Sequence, residues 1–324
     1  MSAAVTPSPP PSSSVVPAVS GRLAVPRSGI LAALWIPTDE HGELKTGALA
    51  AHLEWLRARG LHGVLALGST GEFARMNLGE REQVLAEVIE LAAPLPVVAN
   101  ISSIRLDEVV SLGRSAQKLG AVGVALMPPP FFPVTQEDML EFFLRAAEAV
   151  DLPFYLYNYP EVTGNRIGLE TISAFADRAN MVGIKQSGGE LSYHDDLIAL
   201  GRQKDFGVFT AADPRLAEFL GKGAVGCLGG LANIVPEYMV EVFAACRQGH
   251  PEKAALASER LKRFGEILGP LPLPLNVRSG LEARGFDPGA FKTVVSAQTL
   301  EVYEQVVQNS RAAFVEWGLP LFRG

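Results

Sequence analysis

The sequence predicts an α/β fold, a (β/α)8 TIM barrel with a C-terminal helical extension, and three observations predict it. Short apolar runs recur eight times between Gly29 and Leu228. Segments with helical spacing alternate with them. The stretches that join the two kinds are short and often carry glycine. Units joined so tightly close a parallel sheet on itself more readily than they leave an open doubly wound one. A dinucleotide-binding fold fits poorly: no Gly-x-Gly-x-x-Gly follows the first run, and no acidic residue stands where a ribose would need it.

Residues 1–27 form a Pro/Ser/Ala-rich leader, with prolines at 9–11 and serines at 12–14. Such a segment has little to bury and is expected to be disordered or draped over the surface. It lacks the basic start and compact apolar stretch of a secretory signal. The barrel is assigned to 28–250. Ile30–Ile36 reads as the first strand, and Thr46–Arg59 as a helix with Ala48, Leu49, His52, Leu53 and Leu56 on one face. Gly63–Leu67 is the second strand, followed by Gly68-Ser69-Thr70-Gly71-Glu72 and a helix over Leu78–Leu91. Val97–Asn100, a helix over Asp107–Leu119 and Gly123–Met127 continue the alternation. A helix over Gln136–Val150 leads to Phe154–Tyr157, and one over Leu169–Ala179 leads to a strand from Met181 to Lys185. A helix from Leu191, Gly207–Thr210, a short helix from Pro214 and Gly223–Leu228 complete the series. Beyond residue 250 the rhythm stops. Glu252–Leu268, Leu275–Arg284 and Ala297–Trp317 read as helices broken by Gly269-Pro270 and Asp287-Pro288-Gly289, a helical extension over 251–324 too small and apolar to stand alone.

With 324 residues, 48% of them hydrophobic, the chain can bury a large core, which excludes global disorder. A net charge of −7 and a pI near 5.4 argue against a nucleic-acid groove, which needs a basic face. They are compatible with small anionic substrates, because a local positive site can coexist with a negative surface. No apolar run reaches membrane-spanning length, so no membrane partner is expected. The two cysteines, Cys227 and Cys246, form no Cys-x-x-Cys spacing, which points to a reducing, cytoplasmic setting without structural zinc. Neither a metal nor a cofactor is expected. The nearest approach to a metal cluster, His194-Asp195-Asp196, occupies adjacent helix positions that face different ways, and it reads as a solvated helix start.

In a barrel the carboxyl ends of the strands converge on one mouth, where active sites form. Four uncommon sequences fall at such ends. Lys185 closes the apolar strand Met181–Lys185, and Ser187-Gly188-Gly189 opens the next loop. It is either a lysine ending a strand in water or a partly desolvated amine able to attack a carbonyl. Gly68-Ser69-Thr70-Gly71-Glu72 is either an ordinary glycine-rich turn or a nest of exposed amides suited to a carboxylate. Tyr157, in Tyr157-Asn158-Tyr159-Pro160, is either a packed aromatic or a proton-transfer group. Gly226-Cys227-Leu228-Gly229-Gly230 ends the eighth strand.

In combination, Gly68-Ser69-Thr70-Gly71-Glu72, Leu156-Tyr157-Asn158-Tyr159-Pro160 with Thr163-Gly164, and Gly183-Ile184-Lys185 resemble the dihydrodipicolinate synthase / N-acetylneuraminate lyase family of class I pyruvate aldolases. The resemblance runs from about Gly29 into the C-terminal helices. It implies a TIM barrel with a helical extension, a homotetramer or dimer, and chemistry on pyruvate or other 2-oxo acids through a lysine Schiff base, without metal or nucleotide. It further implies Lys185 as the Schiff-base lysine and Tyr157 as the general acid/base. Gly68, Ser69 and Thr70 would cradle the pyruvyl carboxylate, and Leu228 would contribute only backbone near the nucleophile. An aldehyde would be the second partner.

Two departures bear on substrate. The family's synthases carry an arginine two residues beyond the proline of the Tyr-Asn-x-Pro motif, gripping the second substrate's carboxylate; here that position is Val162. The synthases also place a tyrosine after strand four that reaches a neighbouring subunit. This chain has Met127-Pro128-Pro129-Pro130-Phe131-Phe132-Pro133, whose phenylalanines would pack either across a dimer interface or within their own barrel. The sequence therefore favours an aldolase or lyase cleaving or forming a 2-oxo-3-deoxy acid, of the 2-keto-3-deoxygluconate or 4-hydroxy-2-oxoglutarate kind. Dihydrodipicolinate synthesis, sialate cleavage, sugar-acid dehydration, a catalytically silent 2-oxo-acid-binding regulator and a metal-dependent class II aldolase are the alternatives.

Overall fold

The computed structural model describes residues 23–322. Eight parallel strands, β1 to β8, close into a barrel in sequence order. They are β1 (Gly29–Ala33), β2 (Gly63–Ala66), β3 (Val97–Asn100), β4 (Gly123–Leu126), β5 (Phe154–Asn158), β6 (Met181–Gln186), β7 (Gly207–Thr210) and β8 (Gly226–Gly229). The helices between them are α1 (Thr46–Ala58), α2 (Leu78–Ala92), α3 (Leu106–Leu119), α4 (Gln136–Ala149), α5 (Pro160–Thr163), α6 (Leu169–Arg178), α7 (Leu191–Lys204), α8 (Leu216–Lys222) and α9 (Pro236–Arg247). The extension contributes α10 (Ala255–Leu268), α11 (Leu275–Arg284) and α12 (Ala297–Glu316). The predicted fold class is the observed one. Each strand is followed by a helix, as the alternation predicts, although the apolar spacing sets no bounds for α9 and does not show the single turn α5, which is too short for a period.

Every strand is buried along its whole length, as a sheet covered on both faces requires. One set of side chains fills the barrel interior: Leu31, Ala33, Leu65, Val98, Ala125, Tyr155, Val182, Phe209 and Leu228. The other set packs outward against the helices. Two details fix the height of the site. Tyr155 and Tyr157 lie two residues apart on β5 and so share a face, Tyr155 in the interior and Tyr157 above it at the mouth. On β6 the register shifts between Met181 and Gly183, after which Gly183 pairs with Tyr155 and Lys185 with Tyr157. This irregularity lets Val182 join the interior while Lys185, three residues on, still lies beside Tyr157. Gly183 must lack a side chain there, because a Cβ would stand 2.9 Å from the Tyr155 ring and 3.0 Å from the Gly207 carbonyl oxygen.

The floor of the barrel is closed from the amino-terminal side. Tyr155 donates its hydroxyl proton to the Pro26 carbonyl, and Val25 packs against the interior cluster. The last residues of the predicted leader, within 23–27, thus lie against the barrel; residues 1–22 fall outside the described chain.

The extension is welded to the barrel rather than hung from it. Arg284 is fully buried between the rings of Trp55 and Phe314, each about 5.2 Å away. It donates to Glu237 (2.6 Å) and to the carbonyls of Ile234 (3.3 Å) and Pro320 (3.0 Å). A buried guanidinium is tolerated only when its donors are met in this way. Trp35 Nε1 donates to the Pro288 carbonyl at 2.9 Å, Lys45 pairs with Asp287, and Ala290 N donates to the Thr38 carbonyl at 2.6 Å. The α10–α11 connection lies over the barrel mouth, with Leu268, Gly269 and Leu273 lining the same cavity as Lys185.

One sequence expectation is corrected. His194 is not at a solvated helix start; it is wholly buried, with Nε2 3.2 Å from Thr210 Oγ1 and its ring 4.2 Å from that of Phe219. Burial pushes its imidazole below the ordinary range. Asp195 and Asp196 are exposed, Asp195 pairing with Lys222, so the three side chains diverge and make no cluster. Among the described residues, no three His, Cys, Asp or Glu side chains group as a metal site would require. No helix of the described chain is long and apolar enough to cross a membrane.

Candidate active site

Lys185 and Tyr157 are register neighbours on β6 and β5, and both are buried. The Lys185 amine lies 4.2 Å from the centroid of the Tyr157 ring. Among the described residues it has no hydrogen bond or ion pair, and it faces a cavity of about 270 Å³. Lys185 is not a strand-end lysine in water: it is only 4% exposed.

The turn after β2 supplies the opposite wall. Leu67 takes a left-handed conformation (φ 58°) to leave the strand, and Gly71 N donates to Gly68 O at 3.0 Å while Glu72 N donates to Ser69 O at 3.1 Å. The backbone N–H groups of Ser69 and Thr70 have no protein partner among the described residues, the exposed-amide arrangement that binds a carboxylate. Gly71 is compulsory, since a Cβ would stand 2.9 Å from the Leu34 carbonyl oxygen. Thr70 lines the same cavity as Lys185 and Tyr157. Ser69 does not; it lines a second cavity of about 640 Å³ and reaches the first through its hydroxyl, 3.2 Å from that of Tyr157. Tyr159 and Leu273 line both cavities, and the Tyr159 ring stacks on Tyr157 at 6.3 Å.

The remaining predicted residues stand apart. Gly68 lines neither cavity; its carbonyl closes the turn. Leu228 packs its side chain into the barrel interior, and it is the following Gly229, Gly230 and Leu231 that line the cavity. Gly230 keeps the space between Thr70 and the roof open, because a Cβ would fall 2.9 Å from Val277 Cγ2.

Sequence reasoning missed Asp213, just past β7. It is buried, lines the Lys185 cavity, and accepts from Cys227 Sγ at 3.0 Å and from Leu231 N at 2.7 Å. Burial pushes its carboxyl above the ordinary range, opposed by the Cys227 and Leu231 bonds and by the charge of Lys185. Burial likewise drives the Cys227 thiol upward, so it stays a proton donor to Asp213. A Cβ on Gly229 would overlap the Asp213 carboxylate. The position of Asp213 at a strand's carboxyl end was the available signal. Asn276, which also lines the cavity, comes from the extension and had none.

The loop after β4 leaves Phe131 and Phe132 82% and 62% exposed, their rings in edge contact at 4.9 Å. Neither packs within its own barrel. Val162 is half exposed and lines the second cavity. Besides Lys185, the cation lining either cavity is Arg75, whose Nε already donates to Glu72 at 2.8 Å.

Known proteins resemble this chain in sequence and in fold. The family model described as the dihydrodipicolinate synthetase family matches residues 26–312. A 4-hydroxy-tetrahydrodipicolinate synthase of Methanoculleus marisnigri is 30% identical over 293 residues, 90% of this chain and 99% of that protein. One from Pseudomonas putida is 31% identical over 80% of this chain and 88% of its own length. Among solved structures, the dihydrodipicolinate synthase of Acinetobacter baumannii complexed with pyruvate superposes with a TM-score of 0.80 at 27% identity, covering 88% of this chain and 99% of that one.

Proposed function

The chain belongs to the dihydrodipicolinate synthetase family, and from that premise we propose that it is a class I lyase that cleaves or forms a 2-oxo-3-deoxy acid with Lys185 as its Schiff-base nucleophile. The observation that carries the reading is the buried, unpartnered Lys185 amine beside Tyr157 in a cavity that Thr70 also lines. The amine attacks the C2 carbonyl of the substrate, and Tyr157 gives its phenolic proton to the departing hydroxyl, so that water leaves, an iminium forms and the Tyr157 oxygen is left able to act as a base. The Tyr157 oxygen takes the proton from the C4 hydroxyl and the C3–C4 bond breaks. Its electron pair passes into the iminium, giving an enamine, and the aldehyde leaves. Protonation at C3 and addition of water then release pyruvate and regenerate the amine. The free amides of Ser69 and Thr70 hold the carboxylate throughout, and the Ser69 hydroxyl gives Tyr157 a proton partner. Pyruvate as the retained fragment agrees with its presence in the Acinetobacter baumannii enzyme.

A neutral, hydroxylated aldehyde suits the second cavity. It offers Ser102, Ser103, Thr163 and Glu161 beside Val162, and its one cation, Arg75, is engaged by Glu72. The named relatives are synthases, and that favours a second reading, condensation of pyruvate with a carboxylate-bearing aldehyde. Val162 counts against it, because an isopropyl group cannot bind a carboxylate. We further propose that the chain works as a homotetramer or dimer in a reducing, cytoplasmic setting, with Phe131 and Phe132 at a subunit contact. Borohydride reduction with pyruvate should add a pyruvyl mass to the peptide that holds Lys185 and to no other. An unmodified Lys185 peptide defeats the proposal. A panel of 2-oxo-3-deoxy acids read by pyruvate release then separates the lyase from the synthase and from a silent binder.

A further inference from the structure

The C-terminal extension carries a buried cation outside the cavity that holds Lys185. Lys292, between α11 and α12, has a side chain only 9% exposed. Its amine donates to the Ile36 carbonyl at 2.6 Å, stands 3.5 Å from Glu72 Oε1, and lies 4.9 Å from the Trp35 ring centroid. Glu72 is itself 7% exposed, and its other oxygen accepts from Arg75. Glu72 closes the carboxylate-binding turn with its own N–H on Ser69 O. Its backbone is left-handed (φ 60°), a state unfavourable for a side chain with a Cβ and kept only where surroundings enforce it. Its backbone is held by its N–H on Ser69 O and by the Arg75 N–H on the Glu72 carbonyl, and its carboxylate by the two cations. The same turn is pressed against the segment that follows β1, where a Cβ on Gly71 would sit 3.0 Å from Ile36 Cγ1, and Lys292 holds that segment by the Ile36 carbonyl.

We propose that Lys292 is a positioning residue for the substrate-carboxylate site: through Glu72 it fixes the Ser69-Thr70 turn, so the C-terminal extension sets the affinity for the 2-oxo acid. This rests on the Schiff-base reading of Lys185. Lys292 touches no substrate; it holds the residue that holds the amides. With an apolar side chain in its place, Glu72 would keep a buried carboxylate matched by Arg75 alone. The left-handed residue would then be free to relax and carry Ser69 and Thr70 with it. Burial pushes the Lys292 amine below its ordinary range while Glu72 pulls it back, consistent with a pair that depends on each partner.

The test is the pyruvate concentration that half-saturates borohydride trapping of Lys185, measured with the melting temperature for the parent, Lys292→Met, Glu72→Gln, the double variant and Lys292→Arg. Lys45→Met serves as control, because Lys45 ties the same segment to the barrel through exposed Asp287, away from the turn. Lys292→Met and Glu72→Gln should each raise half-saturation about tenfold, while trapping at saturating pyruvate stays within about twofold. The double variant should add less than about twofold more, since both break one pair. Lys292→Arg should stay within about threefold of the parent, and so should Lys45→Met, though it also loosens the segment. An unshifted Lys292→Met, an equal shift in Lys45→Met, or a multiplicative double variant overturns the proposal. If Lys292→Met does not fold, an unshifted Glu72→Gln overturns it alone. Failure of the parent to trap pyruvate instead defeats the Schiff-base reading, and this proposal with it.

Discussion

Replacing Tyr157 by phenylalanine removes one oxygen and leaves the ring, so it separates chemistry from packing. The ring on which the Lys185 amine rests at 4.2 Å is retained. What disappears is the hydroxyl 3.2 Å from Ser69, a long neutral hydrogen bond whose loss costs folding about 0.5–1.5 kcal/mol. The chemical step loses far more. Without a positioned base for the C4 hydroxyl, kcat should fall by about 10² to 10⁴, or about 3–5 kcal/mol of barrier. Ser69→Ala keeps the phenol and removes only its partner, so its kcat should fall by no more than about tenfold. Three readings on each variant are needed: pyruvate release from a saturating 2-oxo-3-deoxy acid, end-point trapping by borohydride, and a urea midpoint. For Tyr157→Phe the trapped end-point should still be reached and the midpoint should barely move. A kcat within threefold of the parent refutes the assignment of Tyr157. So does a Ser69→Ala defect as large as that of Tyr157→Phe.

The extension and barrel also predict a pH dependence. His52 is buried with its Nε2 3.0 Å from the Asn233 carbonyl, and burial lowers its pKa from 6.5 to about 4. The folded state therefore keeps this ring neutral while the unfolded chain takes up a proton. Its stability contribution is complete above 6.5 and is lost as the pH falls toward 4, amounting to about 2 kcal/mol by pH 5. His52→Gln should flatten the urea midpoint between pH 7 and 5; an unchanged slope would show that His52 is not the group responsible. Gly229→Ala tests the Asp213 seat. Its new methyl must displace the carboxylate from Cys227 and Leu231, so the protein should lose about 1–3 kcal/mol, and an unaltered melting temperature would contradict the geometry.

What could be read from the chain and what could not divides along a physical line. Strands buried on both faces announce themselves as apolar runs, and Lys185, Tyr157 and the Ser69-Thr70 turn are visible because each interrupts such a run at its carboxyl end. Local spacing carries no record of long-range partners. Nothing near His194 reveals that α7 turns it toward Thr210 and Phe219. Nothing near Lys292 or Asn276 reveals that the extension brings them back to the mouth. Asp213 lay between these cases, correctly placed at a strand end but hidden by its unexceptional neighbours Ala211, Ala212 and Pro214. The irregularity in β6 was likewise silent, since Met181–Lys185 reads equally well as an unbroken strand.

The roof over the mouth has a consequence for how such an enzyme could change its diet. Leu273, Asn276 and Val277 form part of the chamber's ceiling, yet none of them carries the amine, the phenol or the turn. The ceiling comes from a different part of the gene than Lys185, Tyr157 and the turn after β2, and Arg284 at the far end of α11 helps fasten it to the barrel. Because Leu273 also lines the second cavity, proposed for the aldehyde, a substitution in this overhang can reshape that cavity from above without touching Lys185 or Tyr157.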